Sequence, residues 1–266
     1  MDPSTAIGTG LAILGSKEIV VKILGPTAEY LGGELQSYTK KGATNLRRIF
    51  SHAETKLGDK LNDQGQVAPK VLKGILSEGY FCDDELGAEY FGGVLAGSRS
   101  EVPRDDRGAA ILSLISRLST YQLRSHYLFY TAFKFLYDRE PANLGISRER
   151  ANLKVFFRLS AYHEAMGFSR SEDFSALLSH AMNGLAREQL IGDHWGSGTP
   201  QYLQKEFHTS NNEAGIVYSA SAIGLELYLW AHGRRDAIGD FLKASVKFEP
   251  LAEISLLANA AERVTG

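Results

Sequence analysis

The sequence predicts a mainly α-helical protein, in which an N-terminal helical bundle with a long amphipathic helix is followed by a C-terminal winged-helix-like α/β module. Apolar residues recur at every third or fourth position through the first half, which is the period of one helix face. In the second half a helix, a polar glycine-containing segment, a β-prone run and another helix follow one another. Residues 140–149, with Pro141 and Gly145, have the character of a linker and predict two domains, residues 1–140 and 141–266.

The long amphipathic helix is the clearest predicted element of the first half. Gly25-Pro26 signals its start, because proline is tolerated in a first helical turn, where its missing N–H is not needed. Its apolar stripe consists of Leu31, Leu35, Tyr38, Gly42, Leu46, Ile49, Ala53 and Leu57. The candidate binding residues of its basic face are Lys40, Lys41, Arg47 and Arg48. Such a face could bind anionic lipid, nucleic acid or an acidic protein patch, although a solvated helix face is the more common explanation.

An acidic block follows the basic helix in the sequence. Five acidic residues and no basic residue occur from Glu78 to Glu89, and Asp83-Asp84-Glu85 predicts a helix start, where carboxylates lie at the positive end of the helix dipole. We expect this block to pair with the basic helix, within one chain or between subunits.

The helix predicted over residues 120–137 is dense in aromatic side chains. Rings at helical spacing could stack on bases or line a ligand pocket, but they are more often part of a hydrophobic core. We therefore expect these rings to be buried.

The winged-helix-like region is predicted from the order of elements after residue 173. A helix from Phe174 to near Gly192 precedes a polar hairpin over residues 193–213, a short strand over residues 215–219 and a helix capped by Ser221. The candidate binding residues of this region are Asn183, Arg187, His194 and Lys205. Neighbouring acids dilute the positive charge that binding to DNA would need, and winged-helix folds also bind proteins.

Composition restricts the classes of function. The formal net charge is −2, so the strong positive excess of a dedicated duplex-DNA binder is missing. Cys82 is the only cysteine, which excludes a disulfide within the chain and a cysteine-rich zinc site. The apolar run from Ala6 to Leu14 lacks the features of a signal peptide, and no apolar segment is long enough to span a membrane. We expect a cytoplasmic protein, with peripheral contact at the inner membrane as the alternative.

The motifs of enzymes are incomplete. His163-Glu164 begins a zinc-protease motif, but Gly167 stands where the second histidine should be. Gly8-Thr9-Gly10 is not followed by the third small residue of a dinucleotide fingerprint, and no G-x-S-x-G motif is present. The acids beside Cys82 should raise its thiol pKa and lower its reactivity. We predict no catalytic residue, no metal ion and no cofactor, and hence a protein that acts by binding.

Five short segments of the sequence resemble motifs of a known family. They run from Lys22 to Gly33, from Val67 to Leu76, from Asp83 to Ala96, and from Gly184 to Ile191 with Tyr218 to Gly224. Together they resemble the Abi-alpha (abortive infection alpha) family of bacterial proteins over most of residues 20–232. The resemblance implies a role in defence against phage and no particular catalytic residue.

The expected function is therefore anti-phage defence of the abortive-infection type, by binding and oligomerisation. Expected partners are a second copy of the chain, a phage or host protein, and the membrane surface, for which the apolar segment from Ala6 to Leu24 is the motivation. A winged-helix regulator that binds nucleic acid is the alternative, and a metal-dependent nuclease with dispersed carboxylates ranks last.

Overall fold

The computed structural model of the protein describes residues 16–24, 40–243 and 260–264. This part of the chain contains eleven α-helices and one four-stranded antiparallel sheet, so the prediction of a mainly α-helical protein is confirmed. Its internal contacts divide it into two compact units. Unit 1 comprises residues 16–24, 40–117 and 229–235, and unit 2 comprises residues 118–228, 236–243 and 260–264.

Unit 1 is helical in all its regular elements within the described residues. They are α1 (Lys17–Leu24), α2 (Lys40–Leu57), a 3-10 helix (Gly58–Asn62), α3 (Pro69–Gly79), α4 (Glu85–Ser98) and α5 (Gly108–Ile115). Pro69 opens α3, where a missing N–H costs nothing. Asp84 caps α4 by accepting a hydrogen bond from the backbone N–H of Gly87 at 2.8 Å. Local sequence signals therefore set both helix starts.

The amphipathic helix α2 buries the apolar stripe that the sequence predicts. Leu46, Ile49 and Ala53 are wholly buried, and α2 shares its most extensive contact with α4. The amphipathic helix is thus confirmed from Lys40 onward. The predicted stripe residues Leu31, Leu35 and Tyr38 lie outside the described residues.

Two adjacent glycines allow α4 to approach its neighbours closely. A Cβ atom on Gly92 would lie 2.8 Å from the backbone oxygen of Ile49 on α2. A Cβ atom on Gly93 would lie 2.0 Å from the backbone oxygen of Ala231, in the segment 229–235 of the same unit. Both distances are shorter than van der Waals contact, so backbone packs directly against backbone at these positions.

Helix α1 is held to unit 1 by apolar contacts and by one arginine. Val20 and Ile23 are wholly buried. The Arg99 guanidinium donates hydrogen bonds to the backbone oxygens of Lys22 at 2.8 Å and of Lys60 at 3.0 Å, and thereby ties α1 to the 3-10 helix. The described part of the segment predicted to contact a membrane therefore packs within the chain, while residues 1–15 lie outside the described part.

Unit 2 combines helices with the four-stranded sheet, whose strand order is β2-β3-β1-β4. Its elements are α6 (Thr120–Leu136), α7 (Ser147–Asn152), β1 (Lys154–Arg158), α8 (Leu159–Met166), α9 (Phe174–Arg187), β2 (Gly196–Gly198), α10 (Pro200–Phe207), β3 (Gly215–Ser219), α11 (Ala222–Ala231), a 3-10 helix (Ile238–Asp240) and β4 (Ala261–Arg263). The last three residues of α11 are counted in unit 1. Strand β1 pairs with β3 on one side and with β4 on the other, so it is an interior strand of the sheet.

Helix α10 replaces the central part of the polar hairpin predicted over residues 193–213, and there the prediction is wrong. Leu203 and Phe207 are four residues apart on one face of α10, and both pack into a core cluster with Phe156 and Val217 of the sheet. Strand β2 is close to α10, because a Cβ atom on Gly196 would lie 2.6 Å from the Phe207 ring. The short strand over residues 215–219 is confirmed as β3.

Most aromatic side chains of α6 lie in the core of unit 2, as predicted, but Phe135 is 75% exposed, and at that residue the prediction is wrong. Phe129, Tyr130 and Phe133 are buried, and the Tyr130 hydroxyl donates a hydrogen bond to the backbone oxygen of Leu190 at 2.8 Å. Because α6 packs against α8, α9 and the sheet, it belongs to unit 2. The division between the units falls before residue 118, whereas the boundary predicted at residue 140 lies inside unit 2.

Candidate functional site

The predicted basic face of α2 is largely paired with the acidic block of the same chain. Lys41 forms an ion pair with Asp83 at 3.2 Å, and the Nε of Arg48 lies 3.2 Å from an oxygen of Glu85. Arg47 is exposed and also has an interaction partner, and the side chain of Lys40 lies outside the described residues. The expected pairing of basic helix and acidic block thus occurs within the chain.

His52 lies at the centre of this pairing. Its Nε2 is 2.8 Å from Glu85 and its Nδ1 is 3.0 Å from Glu89, and Lys56 also pairs with Glu89. Both ring nitrogens can donate to carboxylates only when the imidazole is protonated. Burial by itself would raise the pKa of Glu89, but hydrogen bonds from His52 and Lys56 outweigh it and lower this pKa to about 2. We call these residues, with Arg48, the α2–α4 charge network.

The four candidate residues of the predicted winged-helix region have separate contacts. The Asn183 amide donates to the Ser179 hydroxyl at 3.0 Å, Arg187 pairs with Glu188 at 3.2 Å, and Lys205 pairs with Glu206 at 4.0 Å. The His194 ring stacks on Phe207 with 4.5 Å between centroids. No hydrogen bond, ion pair or ring contact joins any two of these four described residues. Both cations therefore already have an acidic neighbour.

Reactive side chains are dispersed in the part of the chain that the structure describes. There, no group of three or more His, Cys, Asp or Glu side chains is arranged to hold a metal ion. Burial and then the charge of Asp84 raise the pKa of the Cys82 thiol to about 11, in the direction predicted. Among residues 16–24, 40–243 and 260–264, no helix combines the length and apolar content that crossing a bilayer requires.

An open cleft of about 460 Å³ lies in unit 2 and is lined by apolar and polar side chains together. It is lined by Leu159, Ser160, His163, Phe174, Glu213 and Ala214. The backbone N–H of Leu159 donates to the oxygen of Ala214 at 3.0 Å, which fixes α8 against the start of β3. A few polar groups among apolar side chains are a common feature of binding sites. We call it the α8–α9 cleft.

Two phenyl rings hold the imidazole of His163 at this cleft. The centroid of its ring is 5.0 Å from that of Phe174 and 5.6 Å from that of Phe168. Ser160 precedes His163 by three residues on α8 and so lies on the same helix face. Within the described residues neither ring nitrogen of His163 nor the Ser160 hydroxyl has a hydrogen-bond partner. The cleft therefore presents positioned polar atoms that are available to a ligand.

Glu213 lies at the same cleft and is oriented by a cation. The Nε of Arg158 lies 3.3 Å from the Glu213 carboxylate, and its guanidinium also lies 3.7 Å from Glu262. The Glu213 side chain is still 59% exposed. The sequence identified His163 only as half of a zinc motif and did not identify Ser160, Phe174 or Glu213 as site residues. The three-residue spacing of Ser160 and His163, which places both side chains on one face of a helix, was the sequence feature that could have indicated a shared site.

Comparison of the chain with protein-family models, with curated proteins and with solved structures finds no match. The resemblance to the Abi-alpha family accordingly stays a prediction from sequence motifs.

Proposed function

We propose that this chain is a binding protein of bacterial anti-phage defence, of the abortive-infection type, and that the α8–α9 cleft contacts a phage or host protein. The motif resemblance supports the defence role. The observation that carries the binding role is the imidazole of His163, which contacts two aromatic rings at an open cleft and has no hydrogen-bond partner among the described residues.

The geometry of the cleft favours binding for two reasons. Phe174 and Leu159 offer apolar surface, whose removal from water favours association. The His163 ring is already positioned by its neighbours, so little side-chain freedom would be lost on contact with a partner. Unpaired polar atoms on such a surface give orientation and selectivity.

Phage plating on bacteria that express the chain tests the proposal. Wild-type protein should lower the efficiency of plating, and His163→Ala and Phe174→Ala should restore it at equal protein levels. Phe135→Ala is the control, because Phe135 is a 75% exposed phenylalanine of unit 2 that lies outside the cleft lining. Equal protection by wild type and both cleft variants would count against the cleft as the functional surface.

We also propose that the protein forms homo-oligomers in the cytoplasm, with peripheral contact at the inner membrane as a variant of this proposal. The motif resemblance and the apolar segment from Ala6 to Leu24 support it. Light scattering of the purified chain measures its oligomeric state, and fractionation of expressing cells measures whether it is in the cytoplasm or at the membrane. A monomer at all concentrations would contradict the oligomer. Leakage of liposomes that is unchanged by deletion of residues 1–15, which leaves α1 in place, would contradict membrane action through the N-terminal apolar segment.

The finer fold description, a winged-helix-like module in the C-terminal half, belongs to the same proposal. It is supported by the antiparallel pair β2 and β3 and by the helices α9 and α10 beside them in the chain. An experimental structure of the full chain, superposed on winged-helix domains, tests it.

A further inference from the structure

The surroundings of the α8–α9 cleft are acidic. The residues that line it or directly adjoin its lining residues in sequence include three carboxylates, Glu164, Asp173 and Glu213, against one guanidinium group, Arg158. Arg158 is shared with a further carboxylate, Glu262. An anionic ligand would meet repulsion here.

Part of the cleft lining is apolar. Leu159, Phe174 and Ala214 form this part, and the ring of Phe168 packs edge-on against Phe174 at 5.6 Å between centroids. The alkyl chain of lysine or the guanidinium plane of arginine packs well against such rings, while its charge can reach a carboxylate. Glu213 is the carboxylate in the cleft lining, and its side chain is accessible because 59% of it is exposed.

We propose that the α8–α9 cleft binds a basic segment of a partner protein, in which a lysine or arginine lies beside an aliphatic or aromatic residue. The proposal rests on the proposed binding function and names the chemistry of its partner. The apolar side chain contacts Phe174, the cation pairs with Glu213, and the imidazole of His163 and the hydroxyl of Ser160 accept or donate hydrogen bonds to the backbone of the segment.

Fluorescence anisotropy with the full chain tests this chemistry directly. The probes are a labelled short peptide of alternating Lys and Leu with one Trp, the same peptide with Glu in place of every Lys, and a labelled single-stranded DNA oligonucleotide. The Lys peptide should bind, and its affinity should fall as ionic strength rises from about 0.01 to about 0.15 M. Stronger binding of the Glu peptide or of the DNA would overturn the proposal.

Variants locate the binding at the cleft. Glu213→Gln removes one charge and keeps the shape, and it should weaken binding of the Lys peptide by about tenfold, which is the effect of losing one charge-assisted hydrogen bond. Phe174→Leu, which keeps an apolar side chain at the helix start, should weaken it about fivefold by loss of ring contact. Glu226→Gln is the control, since Glu226 is also an exposed glutamate of unit 2. Equal losses for Glu226→Gln and Glu213→Gln would show general charge attraction and overturn the assignment to the cleft.

Phage plating separates this proposal from the proposed function. If Phe174→Ala abolishes protection while the Lys peptide does not bind the wild-type chain, the defence role stands and the basic segment is the wrong partner. If the Lys peptide binds at the cleft and all cleft variants still protect, the partner chemistry stands and the link between the cleft and defence fails.

Discussion

The α2–α4 charge network and the α8–α9 cleft use similar side chains in opposite ways. In the network His52 has a carboxylate at each ring nitrogen, and each glutamate is shared with a second cation. At the cleft His163 contacts two aromatic rings, and its nitrogens have no partner among the described residues. A histidine whose bonds are all made inside the chain supports the fold, whereas a positioned histidine with unmade bonds is available to a partner.

The comparison can be tested because each unit contains one tryptophan. Trp230 belongs to unit 1 and Trp195 to unit 2, and the chain has no other. Labelling with 5-fluorotryptophan therefore gives one 19F resonance for each unit. Denaturant titrations followed by the two resonances then measure the free energy of unfolding of each unit within the intact chain.

The largest expected effect is on the packing that supports the network. Gly93→Ala should lower the free energy of unfolding of unit 1 by about 3 kcal/mol, because the new Cβ atom would overlap the backbone oxygen of Ala231 and the backbone must move. Gly74→Ala is the matched control, since it is also in a helix of unit 1 but its nearest contact is the flexible end of Leu112. That substitution should be neutral or stabilising by up to about 1 kcal/mol. Equal losses at the two positions would contradict backbone contact as the cause.

The next effect comes from breaking the charge network itself. Glu89→Gln should destabilise unit 1 by about 2 kcal/mol, because His52 and Lys56 are partly buried and lose their shared carboxylate. The same substitution at the cleft, Glu213→Gln, should change the stability of unit 2 by less than about 0.5 kcal/mol, since that pair is exposed. If the two substitutions cost the same, the distinction between a structural network and an open site is wrong.

Acid should weaken unit 1 through the same carboxylate. The pKa of Glu89 is about 2 in the folded chain, below its ordinary value of 4.5. Its stabilisation is therefore fully present above pH 4.5 and is lost as the pH falls toward 2. Between pH 5 and pH 3 the free energy of unfolding of unit 1 should fall by about 1–2 kcal/mol on this account. In Glu89→Gln the fall should be smaller by that amount, and an identical fall in both proteins would contradict the assignment.

The same contrast explains how much of the molecule could be predicted from the sequence. The apolar stripe of α2 and the buried rings of α6 were predictable, because they follow from the period of a single helix. The attraction between the basic helix and the acidic block was also predictable, since the two segments have opposite charge. The partners of His52 were not, because Glu85 and Glu89 are more than 30 residues away and their choice depends on how α2 and α4 pack.

The sheet and the cleft depend on contacts that are still more distant in the sequence. Strand β1 pairs with β3 and β4, which lie about 60 and 100 residues further along the chain, and short strands carry little periodicity of their own. Helix α10 was missed because its polar residues outweigh the apolar pair Leu203 and Phe207 in a segment with many turn-forming residues. The cleft joins α8, the start of α9 and Glu213, so only the fold brings its lining together.

The smallest expected effect is at the cleft and completes the comparison. His163→Gln and Ser160→Ala should each change the free energy of unfolding of unit 2 by less than about 0.5 kcal/mol, because both side chains are exposed and neither has a hydrogen bond to another described residue. His52→Gln in unit 1 is the counterpart and should cost about 2 kcal/mol, since one side chain then leaves two carboxylates without their common donor. A denaturant titration of each variant measures these values, with the 19F resonance of Trp195 reporting on unit 2 and that of Trp230 on unit 1. A stability loss for His163→Gln as large as that for His52→Gln would mean that His163 is a structural residue, and the cleft would lose the feature that most favours binding.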